Sequence, residues 1–294
     1  MRVAILGCGY VGLELGRQLD AAGHDPIGVR RSDDGLAAIE DAGFEGVRAD
    51  VTDAGTLDAI PDVDAVVFAA SSGGRDAAAA REVYVDGLQT AIDHFAARKR
   101  APEAFVYTSS TGVYGDHDGG WVDEETPLEP TTEKTEVLAE AERVAHESPF
   151  DSTVVRFAGL YGPERYRLER YVEGPVTEGY LNMIHRDDAA GVVRFALTDE
   201  AAGERGTLLA VDDEPVSKWA FADWLAEQCG VDAPPKRTRE ERLDEDDLSE
   251  AVRRRLTTSK RCSNDLLREL GYDYAYPTFR EGYRDAVEAY REGR

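Results

Sequence analysis

Twelve residues at the amino end set the terms for the fold. Val3 to Leu6 is an apolar run of strand length, and Gly7-Cys8-Gly9-Tyr10-Val11-Gly12 follows it at once. A helical pattern comes next, with Leu13, Leu15, Gly16 and Leu19 on or near one face. Strand, glycine turn and helix in direct succession is the context in which G-x-G-x-x-G signals a dinucleotide site. Gly7 permits the tight turn, Gly9 lets the backbone approach a pyrophosphate, and Gly12 lets the helix pack close to the strand. The N–H groups and positive end of that helix, where Tyr10 and Val11 stand, then face the phosphates. A purely structural turn is the competing reading.

The rest of the chain repeats the alternation. Strands are predicted near residues 26–29, 46–51, 64–70, 104–108 and 153–157. Helices are predicted near 34–42, 81–98 and 135–146. The run Ala65 to Ala70 is apolar throughout, as suits a strand covered on both faces. Such alternation implies βαβ units and a doubly wound parallel sheet, the NAD(P)-binding Rossmann fold, an α/β architecture. The domain expectation is a Rossmann domain over residues 1–162, with returning segments near 185–212, and a smaller C-terminal α/β substrate lobe over 163–294. Beyond residue 162, a helix is expected at 187–197, a strand at 207–211, and helices at 217–230, 264–270 and 277–290. The highly charged stretch 234–255 reads as a solvated helix with an exposed loop. The 294 residues suffice for one large domain with a small companion.

Charge narrows the partners. The chain carries 59 acidic against 34 basic residues, a formal net charge of −25. Only Lys99, Lys134, Lys218, Lys236 and Lys260 are lysines, and the balance resembles that of proteins from salt-loving organisms. Such a field repels nucleic acid and anionic membrane, and no apolar run approaches the ~20 residues that span a bilayer. Cys8, Cys229 and Cys262 are odd in number and lack metal-ligand spacing, so neither a disulfide framework nor a metal site is expected. With the first strand beginning at residue 3, no signal peptide is expected, and the setting read is a reducing cytoplasm. A homo-oligomer is compatible with all of this.

The end of the second strand selects the dinucleotide. An acidic residue about twenty positions beyond the glycine turn binds the ribose 2′-OH of NAD. Here that place holds Arg30, followed by Arg31 and Ser32. Two guanidiniums would hold a 2′-phosphate that a carboxylate would repel. NADP(H) is therefore expected ahead of NAD(H). Asp50, past the third strand, reads either as an acceptor for adenine or as a loop-capping aspartate. Ala69 and Ala70, at the exit of the fourth strand, are expected to line the cofactor.

The run Phe105-Val106-Tyr107-Thr108-Ser109-Ser110-Thr111-Gly112-Val113-Tyr114-Gly115 resembles the fifth-strand motif of the extended short-chain dehydrogenases/reductases. That is the superfamily of NAD(P)-dependent sugar-nucleotide epimerases and dehydratases. Val154 to Pro163, Ile184 to Ala190, and Leu270-Gly271-Tyr272 with Pro277 and Glu281-Gly282 resemble its later landmarks, in order. The resemblance implies that Ser110, with Thr111 beside it, polarises a substrate hydroxyl or carbonyl. It also implies a Tyr-x-x-x-Lys pair on the next helix, whose i, i+4 spacing puts both on one face. The sequence departs there: Lys134 stands at the Tyr place and Leu138 at the Lys place, with no tyrosine between Tyr114 and Tyr161. The tight Gly7-Cys8-Gly9 spacing departs as well, and together these resemble the atypical branch of the family.

A substitute acid is therefore sought. Lys134 reads either as a desolvated acid–base lysine or as a solvated one between Glu133 and Glu136. His185 reads either as a proton carrier near the cleft or as a buried histidine at the domain junction. His117, Tyr114 and Tyr161 are weaker candidates, in a loop or at strand exits. Two functions remain open. One is an oxidoreductase or epimerase/dehydratase acting on a small polar or nucleotide-linked sugar substrate. The other is a non-catalytic NADP(H)-binding sensor or regulator.

Overall fold

The computed structural model describes residues 1–73, 76–245 and 248–293. Its centre is a parallel sheet of seven strands: β1 (Arg2–Leu6), β2 (Asp25–Arg30), β3 (Glu45–Arg48), β4 (Ala65–Phe68), β5 (Ala104–Ser110), β6 (Asp151–Phe157) and β7 (Thr207–Ala210). They lie side by side in the order β7-β6-β5-β4-β1-β2-β3. The chain thus winds outward from β1 in both directions, and the switch point is the crevice between β1 and β4. This is the doubly wound α/β fold that the alternation predicts.

The sheet is apolar on both faces because both are covered. Val3 and Ile5 of β1 belong to one core, and Ala4 and Leu6 to the other. Ala65 and Val67 of β4 alternate with Val66 and Phe68 in the same way. One face carries α1 (Tyr10–Ala21), through Leu15 and Leu19, and α5 (Arg186–Thr198), through Val192, Val193 and Ala196. The other carries α3 (Leu88–Ala96), through Leu88, Ile92 and Phe95, and α4 (Glu133–His146), through Val137, Ala141 and Ala145. Between β2 and β3 runs α2 (Asp33–Asp41). A third core joins Tyr161, Leu168 and Met183 to Phe221, Leu225, Phe279 and Tyr283 from later in the chain.

Several boundaries shift for local reasons. The third strand stops at Arg48, because Asp50 accepts the Thr52 amide at 3.1 Å and gives its own to the Thr56 hydroxyl at 2.9 Å. The helix expected from residue 81 starts at Ala77, capped by Asp76, and passes through a π-helical turn at Glu82–Gly87 before α3. The last helix is two, Phe279–Gly282 and Arg284–Glu292, broken at Tyr283, whose ring stacks on Tyr161 at 5.0 Å. The charged stretch forms helices Arg239–Leu243 and Glu250–Thr257, with Asp246 and Asp247 outside the described residues. Among the described residues no helix is long and apolar enough to cross a membrane.

Candidate functional site

The glycine turn sits at the carboxyl end of β1, facing the switch crevice. Gly7 has φ +82°, and a Cβ there would lie 2.3 Å from the Cα of Ala70. Only glycine fits, and β4's exit therefore lies against the turn. The Gly7 and Cys8 amides both donate to the Val29 carbonyl at 3.1 Å, tying the turn to β2. A Cβ on Gly9 would meet the Arg30 guanidinium at 2.9 Å, and one on Gly12 would meet Ile5 at 3.1 Å. The first helical bond of α1 runs from Leu13 to the Gly9 carbonyl, and no side chain caps this end. The amides of Tyr10, Val11 and Gly12 precede that bond and present an anion-binding surface. The side chains of two of these residues are used elsewhere. Tyr10 donates to the Pro163 carbonyl at 3.0 Å, with the Arg165 guanidinium 4.0 Å from its ring centre, and Val11 is buried in the core. Burial pushes the Cys8 thiol up to about 12, so it is an inert packing group.

Cationic groups flank the turn on the β2–β3 side. Arg30 reaches back over it, its Nη1 3.4 Å from the Cys8 carbonyl. Arg31 is exposed and pairs with Asp50 at 3.5 Å, while Ser32 caps α2 by accepting the Gly35 amide. Arg48 stands opposite Arg30 in register, donates to the Arg31 carbonyl at 2.9 Å and pairs with Asp33. The sequence reading missed Arg48, whose place beside Arg30 depends on the β2–β3 register. Partial burial opposes ionisation of Asp50, yet the Thr52 amide and hydroxyl and the Arg31 charge together hold its carboxyl below the usual range.

On the β4–β5 side the site is built from side chains. Ser110 ends β5, and its Oγ accepts the Gly112 amide at 3.1 Å, which starts the short helix Thr111–Tyr114. Thr111 is buried and bonds to the Cys262 thiol. Behind Ser110 lies a charged network sealed from water. Glu142 accepts from the Ser109 hydroxyl at 2.6 Å and pairs with Arg156 at 2.8 Å, and Arg156 bonds to the Tyr114 hydroxyl at 2.6 Å. Lys134, at the start of α4, places its Nζ 6.0 Å from the centre of the Tyr84 ring. Leu138 packs against the core. Lys260, not singled out in the sequence, is buried and donates to the Gly115 carbonyl at 3.1 Å; burial pushes its ammonium down.

His185 stands at the start of α5, where a Cβ on Gly162 would meet both its Nε2 and the Tyr10 hydroxyl at 3.0 Å. It caps α5, its Nδ1 accepting the Asp187 amide at 3.2 Å, and its ring lies tilted by 34° against that of Tyr276, 3.8 Å between centres. It is 1% exposed. Burial, against the pull of Asp187, pushes it down to about 4, so it is neutral near pH 7 and serves as a cap. His117 is likewise engaged, its Nε2 2.9 Å from the Tyr114 carbonyl.

A family model described as NAD(P)H-binding matches residues 7–200. Protein YeeZ of Escherichia coli K12 is 30% identical over 284 residues, covering 94% of this chain and 96% of its own. A 3-diazoavenalumate denitrifying reductase from a Streptomyces is 33% identical over 158 residues, 49% of this chain and 50% of the reductase. The human epimerase family protein SDR39U1, solved with NADPH, shares 21% identity at a TM-score of 0.76, covering 98% of this chain and 99% of its own. At that identity the likeness is one of fold.

Proposed function

The chain belongs to the NAD(P)H-binding family, and from that premise we propose that it is an NADP(H)-dependent oxidoreductase of the short-chain dehydrogenase/reductase superfamily. The observation that carries the cofactor choice is the set of Arg30, Arg31 and Arg48 at the ends of β2 and β3, beside an uncapped helix N-terminus. The glycine turn suits a pyrophosphate, since Gly9 brings no side chain between the backbone and a phosphate, the Arg30 guanidinium lies over it, and the first amides of α1 have no intrahelical partner. The three guanidiniums fit a 2′-phosphate. Asp50 holds Arg31 in place and stands near the adenosine half.

When bound, the cofactor supplies or removes hydride. The chain's own task is then to orient a carbonyl or hydroxyl on the β5 side, where Ser110 offers a hydroxyl and Lys134 a cation. The substrate class that suits this is a small polar carbonyl compound, nucleotide-linked sugars included. Ala69 and Ala70 pass the cofactor across the switch point, with Thr111 holding the floor behind Ser110. The cysteines Cys8, Cys229 and Cys262 are buried and form no disulfide with one another, which suits a reducing cytoplasm.

The test is a fluorescence titration with NADPH and NADH. Replacing Arg30 by Asp weakens NADPH about 10–100-fold, the worth of a charge-assisted bond, and leaves NADH within a few-fold. An unchanged NADPH-to-NADH ratio in Arg30→Asp with Arg48→Asp overturns the NADP(H) assignment. The second reading, a sensor without turnover, is favoured by one observation: Leu138, at the place where the resemblance implies lysine, packs partly buried against the core. Tight NADPH binding with no oxidation across a panel of ketones, aldehydes and sugar nucleotides selects it.

A further inference from the structure

An oxidoreductase needs a proton donor, and neither His185 nor a tyrosine on α4 supplies one. We propose that Tyr84 is that donor, set against Lys134 by the π-helical turn Glu82–Gly87, so that a tyrosine–lysine pair is assembled from two helices rather than one. The proposal rests on the NADP(H) reading of the site.

Three placements carry it. The Tyr84 ring is half-buried, with the Lys134 ammonium 6.0 Å from its centre. Its phenol hydrogen-bonds with Ser71 and Ser72, directly after Ala70, whose backbone lies against the glycine turn. The phenol therefore stands at the carboxyl end of β4, on the far side of the switch point from the arginines. Ser110 ends the neighbouring strand, three residues past Tyr107, which pairs with Phe68 at the end of β4, so that it lies level with Ser71 in register. A Cβ built on Gly112 would sit 3.4 Å from the Ser110 hydroxyl and 3.6 Å from Thr135, so the first turn of α4 lies beside Ser110. Tyr84, Lys134 and Ser110 thus converge on one crevice.

The electrostatics agree. From β5, Tyr107 faces Tyr84 as a neutral phenol, its ionisation opposed by burial and by Glu142. Glu142 is bound to Arg156, and Arg81 to Glu140 at 2.9 Å. Among the described residues, Lys134 is the cation that acts on the Tyr84 phenol from a facing helix. Burial favours the neutral phenol, but the Ser71 and Ser72 bonds and the Lys134 charge outweigh it and hold Tyr84 below the usual tyrosine value. A donor so poised exchanges protons near neutrality more readily than a free phenol. π-Turns are rare and cluster at functional sites, because the extra residue re-aims a side chain.

In the reductive direction Tyr84 gives its proton to the substrate oxygen as the carbonyl carbon accepts hydride. The C=O π-bond breaks, and one C–H and one O–H bond form. The carbonyl is reduced by two electrons, which come from the reduced nicotinamide. The Tyr84 phenolate, facing Lys134, then recovers a proton from water. Lys134 acts through Tyr84 as a positioning residue.

The experiment compares the intact chain with Tyr84→Phe and Lys134→Met. In the absence of substrate, phenolate absorbance is followed against pH. One tyrosine ionises ahead of the others; that step is missing in Tyr84→Phe and moves to higher pH in Lys134→Met. With a substrate from the carbonyl panel, Tyr84→Phe loses about 10²–10⁴-fold in kcat, the usual worth of a general acid, while its Kd for NADPH stays within threefold. An early phenol step that persists in Tyr84→Phe, or one that ignores Lys134→Met, overturns the pair, and so does full turnover by Tyr84→Phe. Loss of NADPH binding in the unaltered chain overturns the cofactor reading instead, and the absorbance titration still decides on Tyr84.

Discussion

The two halves of the crevice are made in different ways. On the β1–β2–β3 side the proposed recognition surface is mostly backbone: Gly7 in a left-handed turn, Gly9 under Arg30, and the first amides of α1. Its parts lie close together in the sequence. On the β4–β5 side the surface is mostly side chains, drawn from the β4 exit, the π-turn, the end of β5 and the start of α4. A buried ion pair, Glu142 with Arg156, ties the end of β5 to α4 and β6 through the Ser109 hydroxyl. Backbone recognition comes with the fold, whereas side-chain recognition must be supported by other side chains. The first half should therefore fail in binding when altered, and the second in stability or chemistry.

The sharpest test of that difference is Arg156→Met. It strands the Glu142 carboxylate, 2% exposed, without its counter-charge. A loss of about 3–5 kcal/mol is expected in urea unfolding. The double variant with Glu142→Gln should recover part of it, because the penalty is mainly the uncompensated charge. A loss below about 1 kcal/mol would mean that this half is not held by its buried pair.

Next comes Gly7→Ala on the other half. An alanine must adopt φ +82° and clash with the Ala70 backbone. Left-handed strain of about 1–2 kcal/mol and overpacking of about 1–3 kcal/mol lower stability, and the displaced turn amides are expected to lose about 2.7 kcal/mol of contacts with the cofactor, a fall of about a hundredfold in NADPH affinity. Isothermal titration reads the affinity and thermal melting the fold. Unchanged affinity would show that the turn's backbone does not touch the cofactor.

His185, the cap of α5, provides a control that contributes to neither surface. Its folded-state value of about 4 lies below the ordinary 6.5, so the unfolded chain binds its proton first. Its contribution to stability is complete above about pH 6.5 and lost as the pH falls towards 4. By pH 5 the loss is about 2 kcal/mol, from about 1.4 kcal/mol per unit. His185→Asn keeps a capping acceptor and removes the titration. The difference in melting temperature between the two proteins should therefore shift in favour of the variant between pH 7 and pH 5.

The smallest expected effect is from Thr132→Ala. Thr132 and Thr135 close a reciprocal cap at the start of α4, one turn from Lys134. Its loss should cost about 1 kcal/mol. NADPH affinity should hold while the Tyr84 titration moves towards that of an ordinary phenol. A fall in NADPH affinity instead would erase the distinction between the halves.

The same contrast explains what could be read in the sequence. The sheet was legible because its apolar runs alternate between two cores, and Gly7 to Gly12 because one short segment makes the whole turn. Arg30 and Arg31 were visible for the same reason. Arg48 was not, since its role depends on which residue of β2 it faces. His185 read two ways, because periodicity does not reveal whether a histidine at a helix start turns its Nδ1 back to cap the helix. Tyr84 carried no signal of its own: a tyrosine in a helical stretch reads as packing until the loop after β4 and the start of α4 are brought beside it.

The helix that bears Tyr84 also behaves as a screw with a slipped thread. After the slip its inward residues Val85, Leu88, Ile92 and Phe95 recur at intervals of three and four, but Ala80 precedes Val85 by five. One surplus residue turns a helix by about 100°, so the two lengths of thread are out of phase. Substitutions within Glu82–Gly87 change what is displayed, whereas a one-residue deletion would rejoin the threads and rotate one length against its core. In this segment the number of residues is under a stricter constraint than their identity, and length variation among relatives should fall elsewhere.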